Sequence, residues 1–262
     1  MERAVAAQPG EALFGVERSF AGKCWRLRPA DDRLALALAQ RLDLPEVLGR
    51  ILAARGVDLE AAADFLNPTL RAWLPDPGHL KDMDKAVARL VAAVTGAEPI
   101  AVFGDYDVDG ATAAALLSRF LAAVGSEATV YIPDRRREGY GPKAPALRNL
   151  RRQGAALLIT VDCGTTAHAA LAAAAESGLD VIVVDHHAAE PRLPPAVAVI
   201  NPNRLDESSP HRQLAAVGVA LLLAVAVSRG CARPAGTATG RSRSSGTGWT
   251  WWRWARCATW CH

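Results

Sequence analysis

From residue 99 onward the chain alternates short apolar runs with longer amphipathic stretches, and no other feature narrows its fold as far. The runs fall at residues 100–103, 128–132, 156–161, 181–184 and 196–200, rich in Val, Ile, Leu and Ala. Helical stretches separate them at 111–124, 144–153 and 166–177, and a last one covers 214–228. Strands joined through helices of this length imply right-handed crossovers and a parallel sheet. The expected fold class is therefore α/β, a parallel five-strand sheet with flanking helices.

A small helical segment precedes the sheet. Residues 33–41, 45–55 and 58–66 read as short helices; Asp58 suits the N-cap of the third and Asn67-Pro68 stops it. No catalytic residue types cluster there. The organisation expected is a helical lead-in over 1–80, an α/β domain over 81–229 that is incomplete, and a separate tail over 230–262.

An apolar fraction of 50% over 262 residues excludes disorder of the whole. The net charge of +3 does not choose a partner, because a basic patch can serve a polyanion on a nearly neutral protein. The five cysteines, Cys24, Cys163, Cys231, Cys257 and Cys261, are odd in number and scattered, which fits a reducing compartment. Met1-Glu2-Arg3-Ala4-Val5 does not start a signal peptide, and no apolar run reaches the ~20 residues of a membrane span. A cytoplasmic protein is expected.

The tail follows different rules. Five of the seven tryptophans fall between Trp249 and Trp260, interleaved with Arg253 and Arg256 and without helical or strand period. Such a tail could bind nucleic acid or a membrane surface. Tryptophan has one codon, however, so the segment can be back-translated. Read one base earlier it becomes Leu-Asp-Leu-Val-Ala-Leu-Gly-Thr-Val-x-Asp-Val-Val-Pro, a credible buried strand and turn. The favoured expectation is a frameshifted, non-native tail.

The residues that carry chemistry sit at strand ends. Phe103-Gly104-Asp105-Tyr106-Asp107-Val108-Asp109-Gly110 places three carboxylates on a loop at the carboxyl edge of the sheet, where mutual repulsion calls for a divalent cation. A calcium loop of the EF-hand type is excluded, since its twelfth position would be Leu116 instead of Glu. Asp162-Cys163-Gly164-Thr165-Thr166 ends a second strand, with Cys163 read as packing, and Asp185-His186-His187 ends a third. Adjacent histidines can divide metal and substrate contacts while a neighbouring aspartate orients an imidazole. Arg135-Arg136-Arg137-Glu138-Gly139-Tyr140-Gly141 is a basic loop, and the helix opening at Leu214-Ala215-Ala216-Val217-Gly218 could present its amides to a phosphate. Taken singly, Asp162 reads as a helix cap, the histidines as structural and the arginines as solvated. Their joint occurrence at strand ends favours a site, whereas His79, His168 and His211 stand outside it.

Together with Ile200-Asn201-Pro202-Asn203-Arg204, these motifs resemble the DHH phosphoesterase superfamily in order and spacing over residues 101–228. Their wording is similar to that of its bacterial single-strand-specific exonucleases. The resemblance implies a two-metal nuclease, using Mg2+ or Mn2+, that removes nucleotides from the 5′ end of single-stranded DNA in recombination and repair. It makes Asp107, Asp109, Asp162 and His186 metal ligands, with Asp105 as a ligand or close partner. It puts His187 on the scissile phosphate and gives Asp185 the task of orienting the histidines. Helicase or single-strand-binding partners are implied by the same likeness.

The chain departs from that pattern in two places. Pro142-Lys143-Ala144-Pro145 follows the Glu-Gly-Tyr-Gly motif where another helix start is usual, and the out-of-frame peptide resembles the family segment that bears a further metal-binding aspartate. Little or no exonuclease activity is expected of the chain as it stands. The alternatives are a phosphoesterase acting on short oligonucleotides or nucleotide phosphates, and a noncatalytic single-stranded nucleic-acid-binding protein.

Overall fold

The structure, a computed structural model, describes residues 12–232. The tail expectation, with Cys257 and Cys261, falls outside the described residues. Contacts divide the chain into two units, with the boundary between Leu74 and Pro75.

The first unit contains α1 (Asp32–Leu42), α2 (Glu46–Ala54), α3 (Ala62–Leu66) and α4 (Leu70–Trp73). Asp31 caps α1 by accepting from the amides of Arg33 and Leu34 at 2.8 and 3.2 Å. The first two helices cross at Gly49, where a Cβ would stand 2.2 Å from the carbonyl oxygen of Ala35, so only glycine permits the approach. Leu38, Leu52, Val57 and Ala62 form the core of this unit. Asp58 accepts from the amides of Glu60 and Ala61, as a cap should, but it closes a turn and the α-helix begins only at Ala62.

The second unit opens with α5 (Met83–Thr95), a helix that the sequence reading did not anticipate. It continues through β1 (Ile100–Gly104), α6 (Val108–Ala123), β2 (Ala128–Tyr131), α7 (Ala144–Arg152), β3 (Leu157–Val161), α8 (His168–Glu176), β4 (Asp180–Val184), β5 (Ala198–Ile200) and α9 (Ala216–Ala232). The five strands form one parallel sheet in the order β2-β1-β3-β4-β5, as expected from the alternation. Central strands β1 and β3 are buried on both faces, which explains their largely apolar composition. Phe103, Leu158, Val181 and Val183 pack with Leu147, Leu150 and Leu171 of α7 and α8. Helix α9 packs against both α5 and α6. Among the described residues no helix is long and apolar enough to cross a membrane.

The outer edge of β5 is closed by an ion pair. Asp82 accepts from the Val199 amide at 3.3 Å, Arg204 donates to the Val199 carbonyl at 2.8 Å, and the two side chains meet at 2.6 Å. An edge strand whose outward groups are occupied in this way offers no template to another chain.

Candidate metal centre

The first carboxylates are placed by the join between β1 and α6. Asp105 follows the end of the strand, Asp107 is the N-cap of α6 and accepts from the Gly110 amide at 3.0 Å, and Asp109 stands in the first helical turn. The expected three-carboxylate loop is thus shorter than the sequence suggested, because the Asp107 cap starts the helix at Val108. Gly110 is required for this geometry: a Cβ there would come within 2.6 Å of both the amide nitrogen and the carbonyl oxygen of Asp105.

Asp109 reaches across to α9. Its Oδ2 accepts from the Ala216 amide at 2.7 Å and its Oδ1 from the Val217 amide at 2.9 Å. The N-terminus of α9, expected to be open to a phosphate, is therefore occupied by a carboxylate of the protein itself. An anion at that end of the helix is satisfied by the same amides and dipole that a phosphate would use.

At the end of β3, Asp162 is almost wholly buried and adopts φ +61°, a left-handed conformation that costs a non-glycine residue energy. Burial pushes its pKa up to about 7, reinforced by a hydrogen bond with Asp107 and by the charges of Asp109 and Asp107. Asp107 is shifted the other way, first by the Gly110 amide. Burial also raises Asp105, against the pull of the Tyr106 amide. Cys163 is fully buried and its thiol is pushed up by burial, in keeping with a packing role.

At the end of β4, burial works against ionisation of Asp185, but hydrogen bonds from His187 and Thr165 outweigh it and bring the pKa down to about 2. Its Oδ1 lies 2.8 Å from His187 Nδ1 and accepts the backbone N–H groups of His186 and His187 at 2.7 and 3.2 Å. The ring of His187 is held by Asp185 and its pKa is raised by that bond. The ring of His186 faces other carboxylates: its Nε2 lies 3.2 Å from Asp162 Oδ1 and 3.4 Å from Asp109 Oδ2. The two histidines therefore have different neighbours, although their ring centroids are only 4.7 Å apart.

The Glu-Gly-Tyr-Gly loop contributes a residue that the sequence reading did not assign to the site. The Tyr140 hydroxyl donates to the Asp162 carbonyl at 3.1 Å and lies 3.3 Å from His187 Nδ1. Glu138 anchors the loop by accepting from the Tyr131 hydroxyl at 2.7 Å and the Asp134 amide at 2.9 Å. An aromatic residue between two glycines at positive φ was the available signal. Of the three arginines, Arg135 lies over the Tyr106 ring at 4.5 Å, while Arg136 and Arg137 are exposed. Helix α7 has no side-chain cap and carries Pro145 in its first turn, as the departure at Pro142-Lys143 suggested. His168 pairs with Glu190, and His79 bonds Ser209 and meets the ring of His211, all apart from the cluster.

Two overlapping groups offer ligand atoms that lie within 4.8 Å of one another, Asp105 with Asp107 and Asp162, and Asp162 with His186 and His187. Asp105 Oδ1 and Asp162 Oδ1 are buried without a hydrogen bond among the described residues. Converging carboxylates with unspent lone pairs and an imidazole fit a hard divalent cation of the Mn2+ or Mg2+ kind better than a thiolate-seeking metal.

Carboxylates and imidazoles gathered at the carboxyl ends of β1, β3 and β4 define an α/β domain built around a cation-binding edge. The family model described as DHH family, N-terminal domain, matches residues 99–238, and the chain belongs to the DHH family. The chain is 36% identical over 203 residues to a single-stranded-DNA-specific exonuclease RecJ of Bacillus subtilis, covering 78% of this chain and 26% of that one. To the RecJ of Salmonella typhimurium it is 39% identical over 203 residues, 77% of this chain and 34% of that one. A crystal structure of RecJ in complex with Mn2+ from Thermus thermophilus superposes with a TM-score of 0.62 at 31% identity, covering 79% of this chain and 29% of the other. The chain thus spans about a quarter to a third of the length of these relatives.

Proposed function

We propose that this chain carries the metal-binding part of a nuclease that hydrolyses single-stranded DNA from its 5′ end, with Mn2+ or Mg2+ as cofactor. The observation that carries this reading is the convergence of Asp105, Asp107, Asp162 and His186, with two buried carboxylate oxygens left without hydrogen bonds. The activity named for the Bacillus and Salmonella relatives and the Mn2+ of the Thermus structure support the choice of substrate and metal.

In this reading Asp105, Asp107, Asp109, Asp162 and His186 are the metal ligands. Bound divalent cations supply an activated water and neutralise charge on the scissile phosphate. Asp162 would bind the cation as the carboxylate, and Asp107 is held as an anion in advance by the Gly110 amide. Asp185 occupies Nδ1 of His187, which leaves Nε2 for the phosphate. Protonated His187 is stabilised by the Asp185 charge, and a cation suits contact with a phosphate oxygen. The free thiols of Cys24 and Cys163 suit a cytoplasmic setting.

The test is Mn2+-dependent binding of a 5′-phosphorylated single-stranded oligonucleotide, followed by fluorescence anisotropy alongside direct Mn2+ titration. Binding that needs Mn2+, exceeds that of the duplex and is lost in Asp162→Ala is expected. Absence of bound Mn2+ at millimolar concentration would falsify the metal assignment and the function built on it.

A further inference from the structure

The turn Asn201-Pro202-Asn203 after β5 spends both of its side-chain amides on the histidine pair. Asn203 Nδ2 donates to the His186 carbonyl at 2.6 Å and to the Arg212 carbonyl at 3.1 Å. Asn201 Nδ2 donates to the His187 carbonyl at 2.9 Å and to Thr165 Oγ1 at 2.9 Å. Each nitrogen faces two acceptors, a task that only the NH2 end of an amide can perform, so both side chains have one orientation. The turn is itself locked, since the Asn203 amide donates to Asn201 Oδ1 at 2.7 Å, and Asn201 is fully buried.

His186 and His187 lie beyond the end of β4, where the sheet ladder no longer holds the backbone. Three side chains replace it. Asp185 takes both N–H groups, and the two asparagines take both carbonyls. A segment held at all four of its polar groups has little freedom to rotate, which fixes where the His186 ring meets Asp162 and Asp109. Thr165 joins the same frame, because its amide donates to Asp185 Oδ2 at 3.0 Å.

We infer that Asn201 and Asn203 are positioning residues that clamp the histidine backbone and so place the His186 imidazole for a divalent cation. The inference rests on the metal reading above and adds residues to it. Outer partners that orient a metal ligand contribute about 10- to 100-fold to metal affinity.

The experiment uses the full chain and Mn2+ alone, with the free-ion electron paramagnetic resonance signal reporting affinity. The parent, Asn203→Ala, His186→Ala and the double variant form a cycle. Asn203 is partly exposed, so its truncation is tolerable to the fold. The expected result is an affinity about tenfold weaker in Asn203→Ala, with no further loss when the same change is made on His186→Ala. An unchanged affinity, or an equal loss on both backgrounds, overturns the inference. If the parent binds no Mn2+, the metal reading falls and the clamp is decided on the metal-free chain by 15N NMR of the histidine rings. Displaced His186 ring signals in Asn203→Ala and in the milder Asn203→Ser then support the clamp, and unmoved signals overturn it.

Discussion

Asp109 lies across the N-terminus of α9, with its Oδ2 2.7 Å from the amide nitrogen of Ala216. One carboxylate thereby belongs both to the proposed metal centre and to the packing of α6 on α9. Residues 107 positions apart in sequence are joined where the helix dipole is positive.

A structural cost of Asp109→Ala follows that does not depend on metal. Removing a carboxylate that satisfies two terminal amides costs about 1–2 kcal/mol. Urea denaturation in the presence of a chelator should show that loss, and Asp109→Asn should recover part of it. A variant as stable as the parent without metal would show that the amides find other partners.

Gly110 joins the fold to the site in a second way. A side chain there must displace the Asp105 backbone, because its Cβ would lie 2.6 Å from two backbone atoms that cannot swing aside. Gly110→Ala is expected to destabilise the chain by about 2 kcal/mol or more and to abolish Mn2+ binding by moving Asp105. Thermal melting with and without Mn2+ checks both effects. Parental Mn2+ affinity would separate Gly110 from the site.

The shifted carboxyl of Asp162 sets a pH dependence. Its folded pKa of about 7 lies above the unfolded value, which is about 3.9. The native state therefore holds the proton more tightly. That contribution to stability is complete below about pH 4 and is lost as pH rises towards about 7. Asp185, brought down to about 2, acts oppositely and loses its contribution only at stronger acidity. The metal-free chain should thus withstand more denaturant at pH 5 than at pH 8, and Asp162→Asn should flatten the difference. Added Mn2+ should reverse it, since the cation takes the place of the proton. Denaturation midpoints at the two pH values decide the matter.

The parallel sheet was legible because β1, β3 and β4 are buried segments whose burial is written in short runs dominated by Val, Ile, Leu, Ala and Phe. The carboxylates and histidines were legible because strand ends deliver them as local motifs. Helix α5 was not, because its Asp82 start has φ +61° and no side-chain cap, and alanines make up much of its buried stripe. The bond from Asp109 to α9, the Tyr140 contact with Asp162 and the asparagine clamp were hidden for another reason. Each links residues well separated along the chain, and only the crossover geometry brings them together.

The ion pair that closes β5 yields a prediction about solubility as well as stability. Arg204 is nearly buried, and it serves Asp82, Asp206 and the Val199 carbonyl at once. Arg204→Met keeps much of the volume but leaves Asp82 to the exposed Lys85, 2.6 Å away, and Val199 with an unpaired carbonyl at the sheet edge. Removing one partner of such a hydrogen-bonded network costs about 1–3 kcal/mol, and an uncovered edge pairs with other chains. Arg204→Met should lower the urea midpoint and raise light scattering at protein concentrations where the parent remains clear. The double change with Asp82→Leu removes the half-paired charge, so it should regain stability while the open edge keeps the scattering high. Scattering that disappears in the double variant would show that the half-paired charge, and not the open edge, drives the association.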